Sequence, residues 1–435
     1  MRRLAYFLLL ANVIVTTIFW YLHSGALITG SGAGLLIAFG RLAGLYAELT
    51  ILLELVLIGR VAFVERAFGF DKLNNLHRKV GYWLGGLVIL HPLLLTLGYA
   101  REHGVGFYAQ FLDFLSHYED VANALIGLIL LFTVVIISLP WIRRMMRYET
   151  WHVLHLPIYL VVALVFGHQV NTASVSYGLA FYYWYAINFA VFGALIFYRF
   201  LSPLIAYRKH HFKVERLIQE SPTVTSVYIT GDRMGEFKFE AGQYIHVWFL
   251  RDKLLQGLWQ PHPFSLSQGY NGKNIRLSIK NSGDYTSTIK DLRPGTKVLV
   301  EGPFGRFIRK AAFRSKFLFI AGGIGITPIR AMIEELHLSK TDAVLFYGAR
   351  TIEELVFKNE LDKFDARKHY ILSAETGAGY ESGYVDEEKL RRLCGDYANR
   401  EIYICGPVPM MMSLVVLLRD LGVPRDQIHH EKFGY

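Results

Sequence analysis

Long apolar runs fill the first two hundred residues, and beyond them the pattern shortens and alternates. Runs at about 4–22, 33–58, 80–99, 121–141, 152–170 and 180–201 each approach the roughly 20 residues that a membrane-spanning helix requires. They predict six transmembrane helices. From about residue 210 the apolar positions fall into short segments such as VTSVYIT (224–230) and GQYIHVWF (242–249), whose alternation predicts an antiparallel β-barrel. Further on, FLFIA (317–321), GGIGITP and IRAMIEEL read as strand, glycine-rich turn and helix. AVLFYGAR (343–350) and EIYICGP (401–407) continue a βα alternation of the kind that builds a parallel sheet. The expected fold is a multi-domain membrane protein: a six-helix bundle over 1–204, an antiparallel barrel over 210–308 and an α/β domain over 309–435.

Charge divides the chain at the same place. Residues 1–200 hold 22 of the 82 charged side chains, and the remaining 235 hold 60. In the short loops, ten Lys and Arg fall on one face: Arg2 and Arg3; Arg60, Arg66, Lys72, Arg78 and Lys79; and Arg143, Arg144 and Arg147. The opposite face carries Arg101 beside Glu102, Asp113, Glu119 and Asp120. Basic loops stay cytoplasmic, so both termini are expected in the cytosol of a protein that spans the cytoplasmic membrane six times. The first apolar run, of spanning length, is kept as a helix rather than a cleaved leader. Membrane topology accounts for the basic balance here, and no nucleic-acid motif is present. The two cysteines, Cys394 and Cys405, lie in the half assigned to the reducing cytosol, where disulfides are rare.

Ionisable side chains within a bilayer are costly and mark function. His77 and His91 fall 14 residues apart on one predicted helix, about 21 Å along its axis, and His155 and His168 fall 13 apart on another, about 19.5 Å. Two helices therefore offer imidazoles at two matching depths, each level suited to clamp a haem iron from both sides. A separation of 13 leaves the second side chain about 140° around the helix, and Pro157 between them is positioned to distort it. His152 is the competing inner ligand, although its 16-residue separation from His168 fits the first pair less well. Helix two adds Arg41, Glu48 and Glu54. Arg41, toward the outer side, suits a haem propionate or an anionic product; the two glutamates read equally well as a structural charge pair or interfacial groups.

In the second half, HPFSLS places Pro263, Phe264 and the Ser265 hydroxyl where they can meet a planar ring. The run RLSIKNSGDYTSTI offers Lys280 and a turn containing Gly283, Thr286 and Ser287, suited to a pyrophosphate. GGIGITP opens a helix whose first amides can meet a phosphate.

Taken in order, HPFSLS, KNSGDYTSTI, EGPFG, AGGIGITP, YICGP and EKF, with YETWHVLH in the membrane half, resemble the ferric reductase and NADPH oxidase superfamily along essentially the whole chain. The resemblance implies a six-helix haem domain joined to a ferredoxin-NADP reductase module. It implies two b-type haems held by His77, His91, His155 and His168, and FAD surrounded by His262, Pro263, Phe264, Ser265, Lys280, Gly283 and Thr286. Gly322, Gly323, Gly325, Thr327 and Pro328 would cradle the nicotinamide dinucleotide, with Cys405 and Gly406 near the nicotinamide. Phe433 would cover the flavin, with Tyr435 as its rival. Lys280 stands where the oxidases often have arginine, which keeps the charge and weakens a bidentate phosphate contact. Arg350, after the strand AVLFYGA, favours NADPH over NADH by offering a partner for a 2'-phosphate. The implied activity is electron transfer from NAD(P)H to O2 or a ferric chelate across the membrane. No calcium-binding helix-loop-helix precedes the membrane part, and regulatory subunits are not expected.

Overall fold

The structure is a computed structural model that describes residues 2–172, 175, 177–250, 261–309, 315–338 and 341–431. The chain separates into two compact units, Met1–Arg199 and Phe200–Tyr435.

The first unit is helical because its apolar runs can satisfy every backbone hydrogen bond internally, as a lipid environment demands. Its helices are α1 (Arg2–Gly30), α2 (Gly32–Ile58), α3 (Ala62–Phe68), α4 (Phe70–His103), α5 (Phe107–His117), α6 (Val121–Ile137), α7 (Pro140–Arg143), α8 (Tyr148–His155), α9 (Ile158–Thr172) and α10 (Gly178–Ile196). Four stretches are long and apolar enough to cross a membrane: Arg2–Gly30, Phe70–His103, Thr150–Val170 and Gly178–His210. The pair α5 and α6, bent by 111°, brings the number to five if it acts as one span. Among the described residues the candidate spans thus number four or five, against the six expected. The run predicted at 33–58 forms α2, which carries Arg41, Glu48 and Glu54 and buries much of its length inside the bundle.

Small residues set how closely α2 and α4 approach. A side chain on Gly40 would come within 3.0 Å of the Leu95 backbone nitrogen, and one on Gly98 within 3.1 Å of the Ile37 nitrogen. Glycine spacing of this type lets helices pack backbone to backbone in a membrane. The predicted fifth helix is broken where Pro157 removes a backbone donor: α8 ends at His155 and α9 begins at Ile158.

The second unit holds two sheets. The first is antiparallel, in the order β4-β3-β6-β1-β2-β5, with β1 (Lys213–Ser221), β2 (Val224–Thr230), β3 (Tyr244–Leu250), β4 (His262–Ser265), β5 (Ile275–Lys280) and β6 (Lys297–Phe304). Its inward residues, among them Ile245, Val247, Leu277 and Val300, form one core. The expected barrel takes the form of a six-stranded sheet whose edges meet at a single bridge, Leu266 to Leu277. The helices α11 (Ser202–His210) and α12 (Asp284–Ser287) belong to the same part of the chain.

The second sheet is parallel, in the order β10-β9-β8-β7-β11-β12: β7 (Phe317–Gly322), β8 (Ala343–Ala349), β9 (Arg367–Leu372), β10 (Glu381–Ser382), β11 (Glu401–Cys405) and β12 (Ile428–His430). Continuous apolar strands such as FLFIA are buried on both faces, as parallel strands require. The helices α13 (Ile326–Leu338), α14 (Lys358–Leu361), α15 (Glu387–Leu393) and α16 (Val408–Asp420) complete this part. Strand order reverses between β7 and β11, so the crevice at their carboxyl ends is where such a sheet receives a ligand.

Candidate functional site

Four imidazoles come together as two rungs in the helical unit. His77 faces His155 with ring centroids 6.3 Å apart, and His91 faces His168 at 6.2 Å. An imidazole nitrogen sits about 2.0 Å from a bound metal, and its ring centre lies roughly 1.1 Å further out, so two imidazoles on one iron stand about 6.2 Å apart. Both rungs have the spacing of a six-coordinate iron. The sequence spacing of 13 between His155 and His168 reaches this geometry because the chain is interrupted at Pro157. Of the two candidates for the inner rung, His155 and His152, it is His155 whose ring faces His77.

Neighbouring groups aim the rings. His91 Nδ1 meets the Gly40 carbonyl at 2.8 Å and His155 Nδ1 meets Ser138 Oγ at 3.1 Å, while His77 Nδ1 pairs with the carboxylate of Glu54. Such partners leave Nε2 as the nitrogen for a metal and hold the ring in place. Gly44 lies so close to His91 that an added Cβ would stand 2.5 Å from its Nδ1. On α4, Gly81 and Gly85 follow His77 by four and eight residues on the same face, and a Cβ at Gly85 would meet nothing within 4 Å.

A cavity of about 430 Å³ surrounds the second rung, lined by His91, His168, Arg41, Glu48, Tyr99 and Gln169 among others. Its size lies within the range of about 300–1,000 Å³ usual for cofactor sites. Arg41 lines the same cavity and donates from Nη2 to the Tyr99 hydroxyl at 2.9 Å. Glu48, only 2% exposed, accepts from Gln169 Nε2 at 2.8 Å, and Trp184 Nε1 donates to Gln169 Oε1 at 3.0 Å. Within 100–120, His103 meets Gln110, Gln110 donates to Asp113, and Asp113 pairs with His117. Among the described residues no group of three or more His, Cys, Asp or Glu is arranged to hold a metal ion.

In the second unit, His262, Pro263, Phe264 and Ser265 form β4, paired with β3 from Val247 to Tyr244, and all four are half-buried. Lys280 ends β5, and Gly283 precedes the single turn α12. The Thr286 hydroxyl accepts from Ser282 N–H at 2.9 Å, and the Ser287 hydroxyl donates to the Asp284 carbonyl at 2.7 Å. These residues therefore gather at one end of the antiparallel sheet. Tyr285, which the sequence reading passed over, stacks on His262 with centroids 3.4 Å apart. The aromatic inside the KNSGDYTSTI turn was the available signal.

At the switch point of the parallel sheet, Gly322 ends β7 and Gly406 follows β11. A Cβ on Gly406 would approach the Gly322 nitrogen to 3.0 Å, and Met410 packs over both glycines. Gly325 lies against the Cys405 carbonyl, where any side chain would collide. Gly323 and Gly325 belong to the turn that leads into α13, and Thr327 Oγ1 donates to the Ile324 carbonyl at 2.9 Å, with Pro328 next in the helix. Arg350 is exposed just beyond β8. Cys405 is fully buried, and burial with the nearby Glu431 charge pushes its thiol well above the ordinary value. Phe433 and Tyr435 lie outside the described residues.

The two sheets of this unit are tied by buried charge. Arg276 of β5 and Arg330 of α13 both bind Glu360, and Arg330 also binds Glu334 and the Ser267 carbonyl. Burial alone would raise the Glu360 carboxyl, but hydrogen bonding to Arg276 and the charges of both arginines outweigh it, and the net shift is downward.

Three family models divide the chain as the geometry does. Residues 43–166 match the "Ferric reductase like transmembrane component", 213–307 an "FAD-binding domain" and 319–415 an "Oxidoreductase NAD-binding domain". The chain has the ferric reductase and NADPH oxidase-like architecture, with a ferredoxin-NADP reductase module. It is an oxidoreductase and a membrane protein. Among relatives of this reductase-like chain, the probable dihydroorotate dehydrogenase B (NAD(+)) electron transfer subunit of Methanocaldococcus jannaschii is 29% identical over 212 residues, 49% of this chain and 74% of that one. The glycine betaine monooxygenase reductase subunit of Pseudomonas aeruginosa is 28% identical over 254 residues, 54% of this chain and 68% of that one. Among solved structures, the flavohem-like FAD/NAD-binding domain of nitric oxide dioxygenase from Vibrio cholerae O1 biovar El Tor is 25% identical, with a TM-score of 0.47, over 52% of this chain and 98% of that one.

Proposed function

We propose that this chain is a transmembrane NAD(P)H oxidase, taking electrons from cytosolic NADPH or NADH through FAD and two b-type haems to O2 on the outer face, with superoxide as product. The single observation that carries the reading is the pair of imidazole rungs at iron-bridging distance, His77 with His155 and His91 with His168. A flavin accepts the two electrons of a hydride together and releases them singly, which is what haem iron requires.

The chain's own residues would divide the work as follows. Gly322, Gly325 and Gly406 let β7, β11 and the turn into α13 pack closely, and Gly323, with Thr327 and Pro328 opening the helix beside it, would let a dinucleotide's phosphates reach backbone amides. Arg350 offers a cation for the 2'-phosphate of NADPH. His262, Pro263, Phe264 and Ser265 supply the half-buried strand for a flavin, and Lys280, Gly283, Thr286 and Ser287 supply donors for its pyrophosphate. Cys405 sets the floor beside the nicotinamide, and Phe433 is the aromatic assigned to cover the flavin. Arg41, beside the second rung, holds an anion such as a haem propionate or the product. Both termini would lie in the cytosol.

Absorption spectra test the reading. The purified protein should show two b-type haems per chain, reduced by NADPH only with FAD present, and each His→Ala variant should lose about one haem. Reduction of cytochrome c should be suppressed by superoxide dismutase. The description "Ferric reductase like" over residues 43–166 favours a second reading, a ferric-chelate reductase; chelate reduction that persists without oxygen, with no superoxide, would replace the first. Relatives that are themselves subunits support a third, in which turnover with either oxidant is negligible until an extracytoplasmic partner is added. For the nucleotide, Arg350→Ala should raise KM for NADPH and leave that for NADH; an unchanged NADPH preference removes Arg350 from the site.

A further inference from the structure

The Nδ1 partners of His77, His91 and His155 differ in charge. His91 turns its Nδ1 to the peptide carbonyl of Gly40 at 2.8 Å, and His155 turns its Nδ1 to the hydroxyl of Ser138 at 3.1 Å. His77 alone of these three meets a carboxylate, that of Glu54 on α2. Glu54 is 8% exposed, and its second oxygen, Oε1, makes no hydrogen bond among the described residues. Gly81, one helical turn beyond His77, borders the same carboxylate: a Cβ there would stand in ordinary contact, 3.5 Å from Glu54 Oε1.

A buried carboxylate that takes part of the Nδ1 proton makes the opposite nitrogen a stronger donor to a metal. Extra negative charge next to an iron favours its oxidised state, because the ferric form carries one more positive charge, and low effective dielectric enlarges the effect.

We infer that Glu54 is the tuning residue of the inner rung: through His77 it holds the inner haem at a lower reduction potential than a neutral partner would, so that this iron passes its electron onward. The inference rests on the two-haem reading given above. It assigns a role to a glutamate that sequence alone leaves indistinguishable from a structural charge.

Spectroelectrochemical titration of the purified full-length protein tests it. The inner haem is first assigned as the one lost in His77→Ala. In Glu54→Gln, which keeps size and hydrogen bonding, the midpoint of that haem should rise by about 59 mV or more, the equivalent of a tenfold change for a one-electron couple. The other midpoint should stay in place, and the low-spin ferric EPR signal of the inner haem should shift. Glu54→Asp, which restores the charge at shorter reach, should return the midpoint toward wild type. If Glu54→Gln sheds the inner haem, Glu54→Asp carries the titration and should show an intermediate shift. Two bound haems with both midpoints unchanged in these variants overturn the assignment of Glu54. A wild-type protein that binds no haem sinks the two-haem reading instead.

Discussion

Arg276 forks onto Glu360, placing Nη1 2.9 Å from one carboxylate oxygen and Nη2 2.9 Å from the other. The arginine lies on β5 of the antiparallel sheet and the glutamate on α14, in the part of the chain that carries the parallel sheet. Its guanidinium, 2% exposed, also binds Glu220 at 2.7 Å and lies over the Phe357 ring at 4.5 Å. Bidentate pairing of this type fixes angle as well as distance.

Hydride transfer is sensitive to small misplacement, with losses of about 100-fold for an error near 1 Å. Glu360→Gln should therefore slow flavin reduction by NAD(P)H by about tenfold or more in stopped flow, with haem content unchanged. Arg276→Met should be worse, because it strips Glu220 of the cation it pairs with and leaves Glu360 on Arg330 alone. Wild-type flavin reduction in Glu360→Gln would show that the clamp does not govern geometry at the site.

The same clamp gives stability a pH dependence. Glu360 is held below its ordinary range, so its contribution is present above the unfolded carboxylate value and lost as pH falls through the folded one. Asp396, bound to Arg400 and Lys316, is lowered to about 2 from 3.8, and its contribution disappears between about pH 4 and 2. Thermal unfolding of the full chain should weaken on acidification through this window. Asp396→Asn should remove on the order of 1 kcal/mol at neutral pH and flatten the acid limb, a modest value because its side chain is one-third exposed and solvent-screened.

A methyl group can test the outer rung. Gly44→Ala places a carbon 2.5 Å from His91 Nδ1, where the ring must move. Loss of about half the haem absorbance is expected, with the remaining haem resistant to His91→Ala. A full complement in Gly44→Ala would mean that α2 shifts away.

Much of this arrangement is legible in the sequence, because histidine spacing, apolar length and glycine-rich turns each carry a local physical cause. The four histidines announce two depths. Their angular mismatch does not resolve without seeing α8 end at His155 and α9 begin at Ile158. The role of Glu54 was hidden because its partner is 23 residues away on another helix. Gly40 and Gly44, by contrast, stand in a G-x-x-x-G spacing that could have pointed to the α2–α4 seam. Arg276 and Glu360 lie 84 residues apart, and no local pattern couples them.

Both cysteines are shut away from solvent. Burial lifts the Cys394 thiol to about 11 and raises that of Cys405 as well, so at neutral pH neither presents the thiolate that peroxide and alkylating agents attack. An electron-transfer protein is thereby spared the sulfur damage that would otherwise shorten its working life, and treatment with iodoacetamide should leave its turnover intact.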